Sequence, residues 1–270
     1  MRTLLVISVC FSYVIKGLAQ PIDSAYLKIS YNLNYVLDTT RPYKAQNDLQ
    51  VLLIGSRSSF TCSQSLLKRD SIINSRKQLG DDNKSLLSSE TAKIGLLAKF
   101  RILTPFTDNK LTVIDEAGMD KLYYDETKEK INWLIEPDTV TFFSYLCQKA
   151  ACSYRGRNYI AWFTKDIPVS TGPYKFRGLP GLILSIADTK NNYVFECVGI
   201  EKITPKQPIN ISTNGIIKTS RKDFLKLQKN AFDNPWQMFK DKGITIGGRD
   251  ADAINAMLKT PKPYNPIELE

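Results

Sequence analysis

Between residues 139 and 200, apolar and polar residues alternate in short runs, and each run ends in a cluster of turn formers. A period of two sets successive side chains on opposite faces of an extended backbone, so the pattern predicts β-strands. Four are read here, over residues 139–148, 157–164, 182–188 and 193–200. Thr189-Lys190-Asn191-Asn192 joins the last two as a hairpin-like loop. Strands linked this tightly leave no room for crossover helices, which points to an antiparallel meander rather than a parallel α/β sheet.

The same period runs through the N-terminal half. Leu27, Ile29, Tyr31, Leu33 and Tyr35 share one parity within residues 26–37, and Asp38-Thr39-Thr40-Arg41-Pro42 closes that strand. Residues 49–54, 111–115, 121–126 and 130–135 read as further strands, the middle two around Gly118. Residues 63–99 differ in character, being rich in Ser, Lys, Asp and Asn with scattered leucine pairs. They read as a surface insertion with one or two short helices around a disordered middle at 80–83. The C-terminal third changes period. Thr219-Ser220-Arg221-Lys222-Asp223-Phe224 opens like a capped helix with Phe224, Leu225, Leu227 and Phe232 on an apolar face, Asn234-Pro235 interrupts it, and residues 251–258 read as another short helix. The expected fold is mainly β (α+β): a curved antiparallel meander sheet, open or a partial barrel, with C-terminal helices over 219–258.

The N-terminus carries an address. Arg2 is followed by an apolar run over residues 3–15, and Gly17 and Ala19 are the small residues that precede a signal-peptidase cut. Residues 1–19 are therefore read as a signal peptide. The run is too short to span a bilayer, which takes roughly 20 residues, and no transmembrane segment is expected after cleavage. Residues 20–270 are read as one domain, exported to the periplasm, associated with the outer membrane, or secreted. Loss of Arg2 and Lys16 leaves 35 basic against 27 acidic residues, a charge of +8. That balance suits anionic head groups or acidic polymers. The lysines are scattered without a stacking-aromatic motif, so no nucleic-acid partner is implied.

The chain has no histidine. Imidazole-based triads, histidine metal ligation and imidazole pH sensing are excluded together, and any catalysis falls to cysteine, serine, lysine, tyrosine or carboxylates. No metal site or cofactor is implied. After cleavage Cys62, Cys147, Cys152 and Cys197 remain, an even set that suits disulfides in an oxidising compartment. Three connectivities are open. The one favoured here pairs Cys147 with Cys152 across a hairpin and leaves Cys62 for Cys197.

One segment carries a resemblance. Tyr145-Leu146-Cys147, Gly156-Arg157, Ala161-Trp162-Phe163-Thr164, Ile167-Pro168 and Gly172-Pro173 lead to Gly178-Leu179-Pro180-Gly181-Leu182-Ile183. This ensemble resembles the GLPGLI family, whose hexapeptide stands here unaltered, and Asn265-Pro266-Ile267-Glu268-Leu269 resembles the ending of such proteins. The resemblance implies a secreted bacterial protein and carries no biochemical activity. Taken physically, Pro180 and Gly181 fit the central positions of a type II turn, with positive φ at Gly181. Leu179 and Leu182 bury on either side, and Ile183 opens a strand. The loop over 165–178 then has two readings. It is an architectural corner that fixes how two strands meet, or it lines a binding groove with Arg157, Trp162, Tyr174, Lys175 and Arg177 as contacts. Arg157 and Trp162 fall on opposite faces of a regular strand, and Trp162 is expected in the core.

Three functions remain in view. The first is a cell-envelope binding or carrier module for an apolar lipid or peptide ligand, held in a strongly curved sheet. The second is an accessory protein that contacts an outer-membrane transporter or peptidase. The third, and least supported, is a histidine-independent enzyme.

Overall fold

In a computed structural model the described residues are 22–78, 98–244, 251–259 and 264–270. The expected signal peptide and the middle of the insertion lie outside them.

The strands are β1 (Asp23–Tyr35), β2 (Gln46–Gly55), β3 (Ser58–Ser63), β4 (Arg101–Pro105), β5 (Lys110–Ala117), β6 (Asp120–Thr127), β7 (Leu134–Phe142), β8 (Tyr145–Tyr154), β9 (Arg157–Thr164), β10 (Leu182–Asp188), β11 (Tyr193–Ile209) and β12 (Ile217–Lys218). They form one sheet in the order β12-β6-β5-β4-β3-β2-β1-β11-β10-β9-β8-β7. Two meanders, β1 to β6 and β7 to β11, join where β1 pairs antiparallel with β11. Only the short β12 runs parallel to its neighbour, β6.

The sheet is open but strongly curled. Nine strand spacings separate β6 from β8 in the order above, roughly 43 Å if the sheet were flat. Arg155, in the turn after β8, nevertheless reaches Glu126 on β6 at 3.8 Å. The inside of the curl is filled by the loop between β9 and β10. The Phe176 ring meets Tyr159 at 4.7 Å, Tyr154 at 5.8 Å and Phe195 at 6.3 Å, mostly edge-on. Tyr174, Leu179, Leu182 and Ile183 join it in the main core cluster. On the opposite face a smaller cluster forms where Leu66 and Leu67 of α1 (Gln64–Gln78) cover Val51, Leu53, Phe60 and Cys62. Helix-covered on one side and core-facing on the other, β3 is buried along its whole length. Ser-rich β3 carries no alternating pattern for this reason, and it is not among the strands read from the sequence.

Several expected boundaries move. The strand over 139–148 is two strands, because Phe143 and Ser144 take φ of 48° and 69° and turn the chain between β7 and β8. Residues 130–133 are irregular, so the strand expected over 130–135 begins only at Leu134. Helices α2 (Arg221–Asp233), α3 (Pro235–Asp241) and α4 (Ala251–Lys259) follow the sheet. Ser220 Oγ accepts from the Asp223 N–H at 3.0 Å and caps the helix expected there, and Asn234-Pro235 interrupts it as expected, but Pro235 also opens α3, a helix the sequence pattern does not predict.

The disulfide expectation is overturned. Cys62, Cys147, Cys152 and Cys197 are all free. Cys147 and Cys152 lie on the one strand β8, five residues and roughly 16 Å apart, instead of across a hairpin. Cys62 on β3 and Cys197 on β11 are three strands apart, roughly 14 Å, and belong to different core clusters. A disulfide needs Cα atoms within about 7 Å.

Candidate functional site

The hexapeptide is a corner, built differently from the expected type II turn. Gly181 has no positive φ; a Cβ there would stand 1.9 Å from the Thr164 carbonyl oxygen. Glycine is required because two backbones touch. The positive φ, 97°, belongs to Gly178, three residues earlier. Pro180 is exposed, while Leu179, Leu182 and Ile183 are buried. Gly172 is a second close approach, its missing Cβ lying 2.9 Å from Ile183 Cβ, and Pro173 accepts the Phe176 N–H at 3.2 Å. Tyr31 Oη, on central β1, donates to the Ile183 carbonyl at 2.6 Å, tying the corner to the middle of the sheet.

Three of the expected contact residues turn inward and hold the C-terminal segment 264–270. Arg157 is buried. It donates to Asp188 at 3.1 Å, Asn265 Oδ1 at 2.6 Å, and the carbonyls of Pro266 and Ile267 at 2.5 and 3.1 Å. Lys175, whose side chain is fully enclosed, ion-pairs with Glu126 at 2.9 Å and Glu268 at 2.7 Å. Tyr174 Oη donates to Glu268 at 2.7 Å. Arg221, at the start of α2, reaches Glu268 at 2.7 Å and Glu126 at 3.3 Å. Tyr193 Oη donates to the Asn265 carbonyl at 2.7 Å, and Asn265 Nδ2 donates to the Val36 carbonyl. Burial alone raises the Glu268 carboxyl. The charge and hydrogen bond of Lys175, then Arg221 and Tyr174, outweigh it and bring the pKa down to about 2. Burial likewise opposes the Lys175 ammonium, but Tyr124, Glu268 and Glu126 raise its pKa on balance. Sequence reasoning found this tail only as part of the resemblance; a buried lysine and a late glutamate give no local pattern that pairs them.

Trp162 does not enter the core as expected. It shares the parity of the exposed Asn158 and Ile160, lies half-buried opposite Lys149 and Ser185, and packs against the main core cluster without being among its buried residues. Ile160 lies in an apolar row with Leu134, Ala151, Ala187 and Val194 across five strands.

Arg177 alone of the expected contacts faces an open cleft. Its volume is about 670 Å³, and its walls include Tyr26, Phe106, Ile131, Lys128, Lys130 and Ser170. The Arg177 guanidinium donates to the carbonyls of Lys175 and Glu129 at 2.9 and 2.6 Å. Lys128 Nζ donates to the Pro105 carbonyl at 2.6 Å. Neither cation forms an ion pair among the described residues, since the Glu129 carboxylate is taken by Arg155 at 3.0 Å. Burial first, and then the Arg177 charge, lower the Lys128 pKa. Lys128 and Lys130 sit in an irregular stretch whose charge reads as ordinary solvation, so sequence reasoning missed them. No group of three Cys, Asp or Glu side chains suited to a metal ion occurs among the described residues.

The fold and these contacts define a β-rich protein with an open curled sheet, a filled interior and a clamped C-terminal segment. A family model described as "Protein of unknown function (Porph_ging)" matches residues 86–185, the stretch that ends just past the hexapeptide. Comparison with curated proteins gives no match. Similar solved structures include two of PNGF-II, in C2 and P21 space groups. Both are 14% identical with a TM-score of 0.50, and the matches cover 76% and 77% of this chain. They take up only 33% and 34% of the PNGF-II chains, so this chain spans about a third of their length. At that identity the likeness is one of fold alone.

Proposed function

We propose that the chain is an exported binding module whose ligand carries an anionic group, held in the cleft between Lys128 and Arg177. The observation that carries this is the pair of cations with hydrogen bonds to main-chain carbonyls and no carboxylate partner among the described residues. A charge-assisted hydrogen bond to a ligand would supply what the protein itself does not. Tyr26, Phe106 and Ile131 give the same cleft an apolar wall, as ligand sites commonly combine a few polar groups with hydrophobic lining. The carrier reading in which an apolar ligand occupies the curl loses its space, because Phe176, Tyr174 and Leu179 fill it. Residues 1–19 read as an export signal, and the intact hexapeptide with the 265–269 ending supports membership of the GLPGLI family.

The test uses 8-anilinonaphthalene-1-sulfonate, which joins an anion to aromatic rings, against the uncharged N-phenyl-1-naphthylamine. The sulfonate should bind with fluorescence enhancement, and Lys128→Gln should weaken it about tenfold, the scale of one charge-assisted hydrogen bond. Equal binding of the uncharged dye, or no effect of the substitution in a variant that melts normally, would overturn the proposal.

A further inference from the structure

A second pocket, of about 200 Å³, opens between β1, β5 and α2, with Ile267 of the tail in its lining. Its lining includes Tyr35, Lys99, Phe100, Asp115, Glu116 and Tyr193. Two features there have no use in the fold. Tyr35 is only 5% exposed, and its hydroxyl has no hydrogen-bond partner among the described residues. Asp115 accepts one hydrogen bond, from the Glu116 N–H at 2.8 Å, and forms no ion pair among the described residues. Among the described residues the one ammonium lining the pocket, on Lys99, is committed to Glu116 at 2.6 Å. Two carboxylates thus face one cation, and the uncompensated charge is that of Asp115. A half-buried carboxylate without an ion pair and an orphaned buried hydroxyl both leave polar groups unsatisfied in this pocket.

We infer that this pocket binds a small organic cation, with its ammonium on Asp115 and Tyr35 Oη and its apolar body against the rings of Phe100 and Tyr193. Tyr35 and Tyr193 stack with centroids 6.0 Å apart, and aromatic faces attract cations through their quadrupole. An anion would meet the excess carboxylate, and no trio of ligating side chains among the described residues offers a metal site. The inference concerns a different site from the Lys128 cleft and stands or falls apart from it.

Binding should depend on pH. Burial, then the Glu116 charge, push the Asp115 pKa up to about 7, against the opposing Glu116 N–H hydrogen bond and the positive charges of Lys175 and Lys99. The other groups near Asp115 are Tyr124 on β6, Glu268 in the tail and Tyr264. Glu268 and Lys99 are held in ion pairs, so Asp115 is the group that changes charge near neutrality. A cationic ligand needs the ionised form, and affinity is lost as pH falls through 7.

Calorimetry of the full mature chain with benzylammonium, against benzyl alcohol as the uncharged counterpart, tests this. Benzylammonium should bind at pH 8 and about tenfold more weakly at pH 6, following the ionised fraction of one carboxyl. Asp115→Asn should abolish the pH dependence and weaken binding at pH 8 at least tenfold, and Tyr35→Phe should weaken it a few-fold. Acetyl-lysine methylamide forms a further arm. Binding as tight as benzylammonium assigns the site to a lysine side chain of a peptide, and much weaker binding assigns it to free amines. Equal binding of benzyl alcohol, a pH-independent affinity, or no binding of either ammonium would overturn the inference.

Discussion

Gly181 shows how little a residue's name says about why it is needed. Its position after Pro180 suggests a dihedral requirement, yet it is the missing Cβ that matters, with Thr164 O only 1.9 Å from where that atom would stand. Gly181→Ala must push two backbones apart inside the core, and overpacking of this kind typically costs about 1–3 kcal/mol or more. The rigid backbone contact places it at the upper end. Pro180→Ala, at an exposed position, should cost well under about 1 kcal/mol. Urea denaturation of both variants checks the ranking, and a milder effect at Gly181 than at Pro180 would contradict this account of the corner. At the same scale, Arg157 and Lys175 carry a lesson. A cation near a glycine-rich loop looks like a ligand contact, but both are consumed by the chain's own carboxylates and carbonyls.

The tail is the element through which stability should respond to acid. Glu268 sits beside Lys175, Arg221 and Tyr174, and its pKa falls from 4.5 to about 2. A carboxylate with a depressed folded-state pKa contributes stability that is present above its unfolded value and lost as pH falls toward the folded one. The window is therefore between 4.5 and about 2, and the contribution of this group is about 3 kcal/mol. Glu268→Gln should lower the melting temperature at pH 7 and flatten the fall in stability across that window; an unchanged acid limb would contradict it. The strands β9 and β10 have the bounds that the sequence predicts, and the capped start after Thr219-Ser220 and the Asn234-Pro235 break also agree, although Trp162 and the run Leu182 to Leu184 depart from simple alternation. The turn at Phe143-Ser144 was hidden, because neither residue announces a left-handed backbone. β3 was hidden because both its faces are covered. The Lys128 cleft and the Asp115 pocket were hidden because they join residues far apart in sequence, and one chain's residue pattern records no such pairing.

Across the whole molecule, the four cysteines of residues 20–270 oppose what an exported chain leads one to expect. Their even number fits disulfides, but β8 holds Cys147 and Cys152 on one strand and the sheet separates Cys62 from Cys197. Burial raises the thiol pKa of Cys62 and Cys152 to about 12 and of Cys147 to about 11, which keeps them unreactive without a partner. Protein recovered from the cell envelope, unfolded and alkylated without a reductant, should show an intact mass that begins at Gln20 and carries four alkyl groups. Fewer groups, or a retained N-terminus, would contradict the thiol and export readings respectively. A reductant should leave the melting temperature unchanged.

The clamp on Glu268 also bears on the order in which the molecule is made. The twelve described strands all precede the segment that Arg157, Lys175 and Arg221 grip, and until that segment docks Lys175 and Arg221 have Glu126 alone of their two carboxylate partners. A variant truncated before residue 264 would keep these strands and lose the clamp, leaving the buried cations short of a partner and the molecule more open to proteolysis.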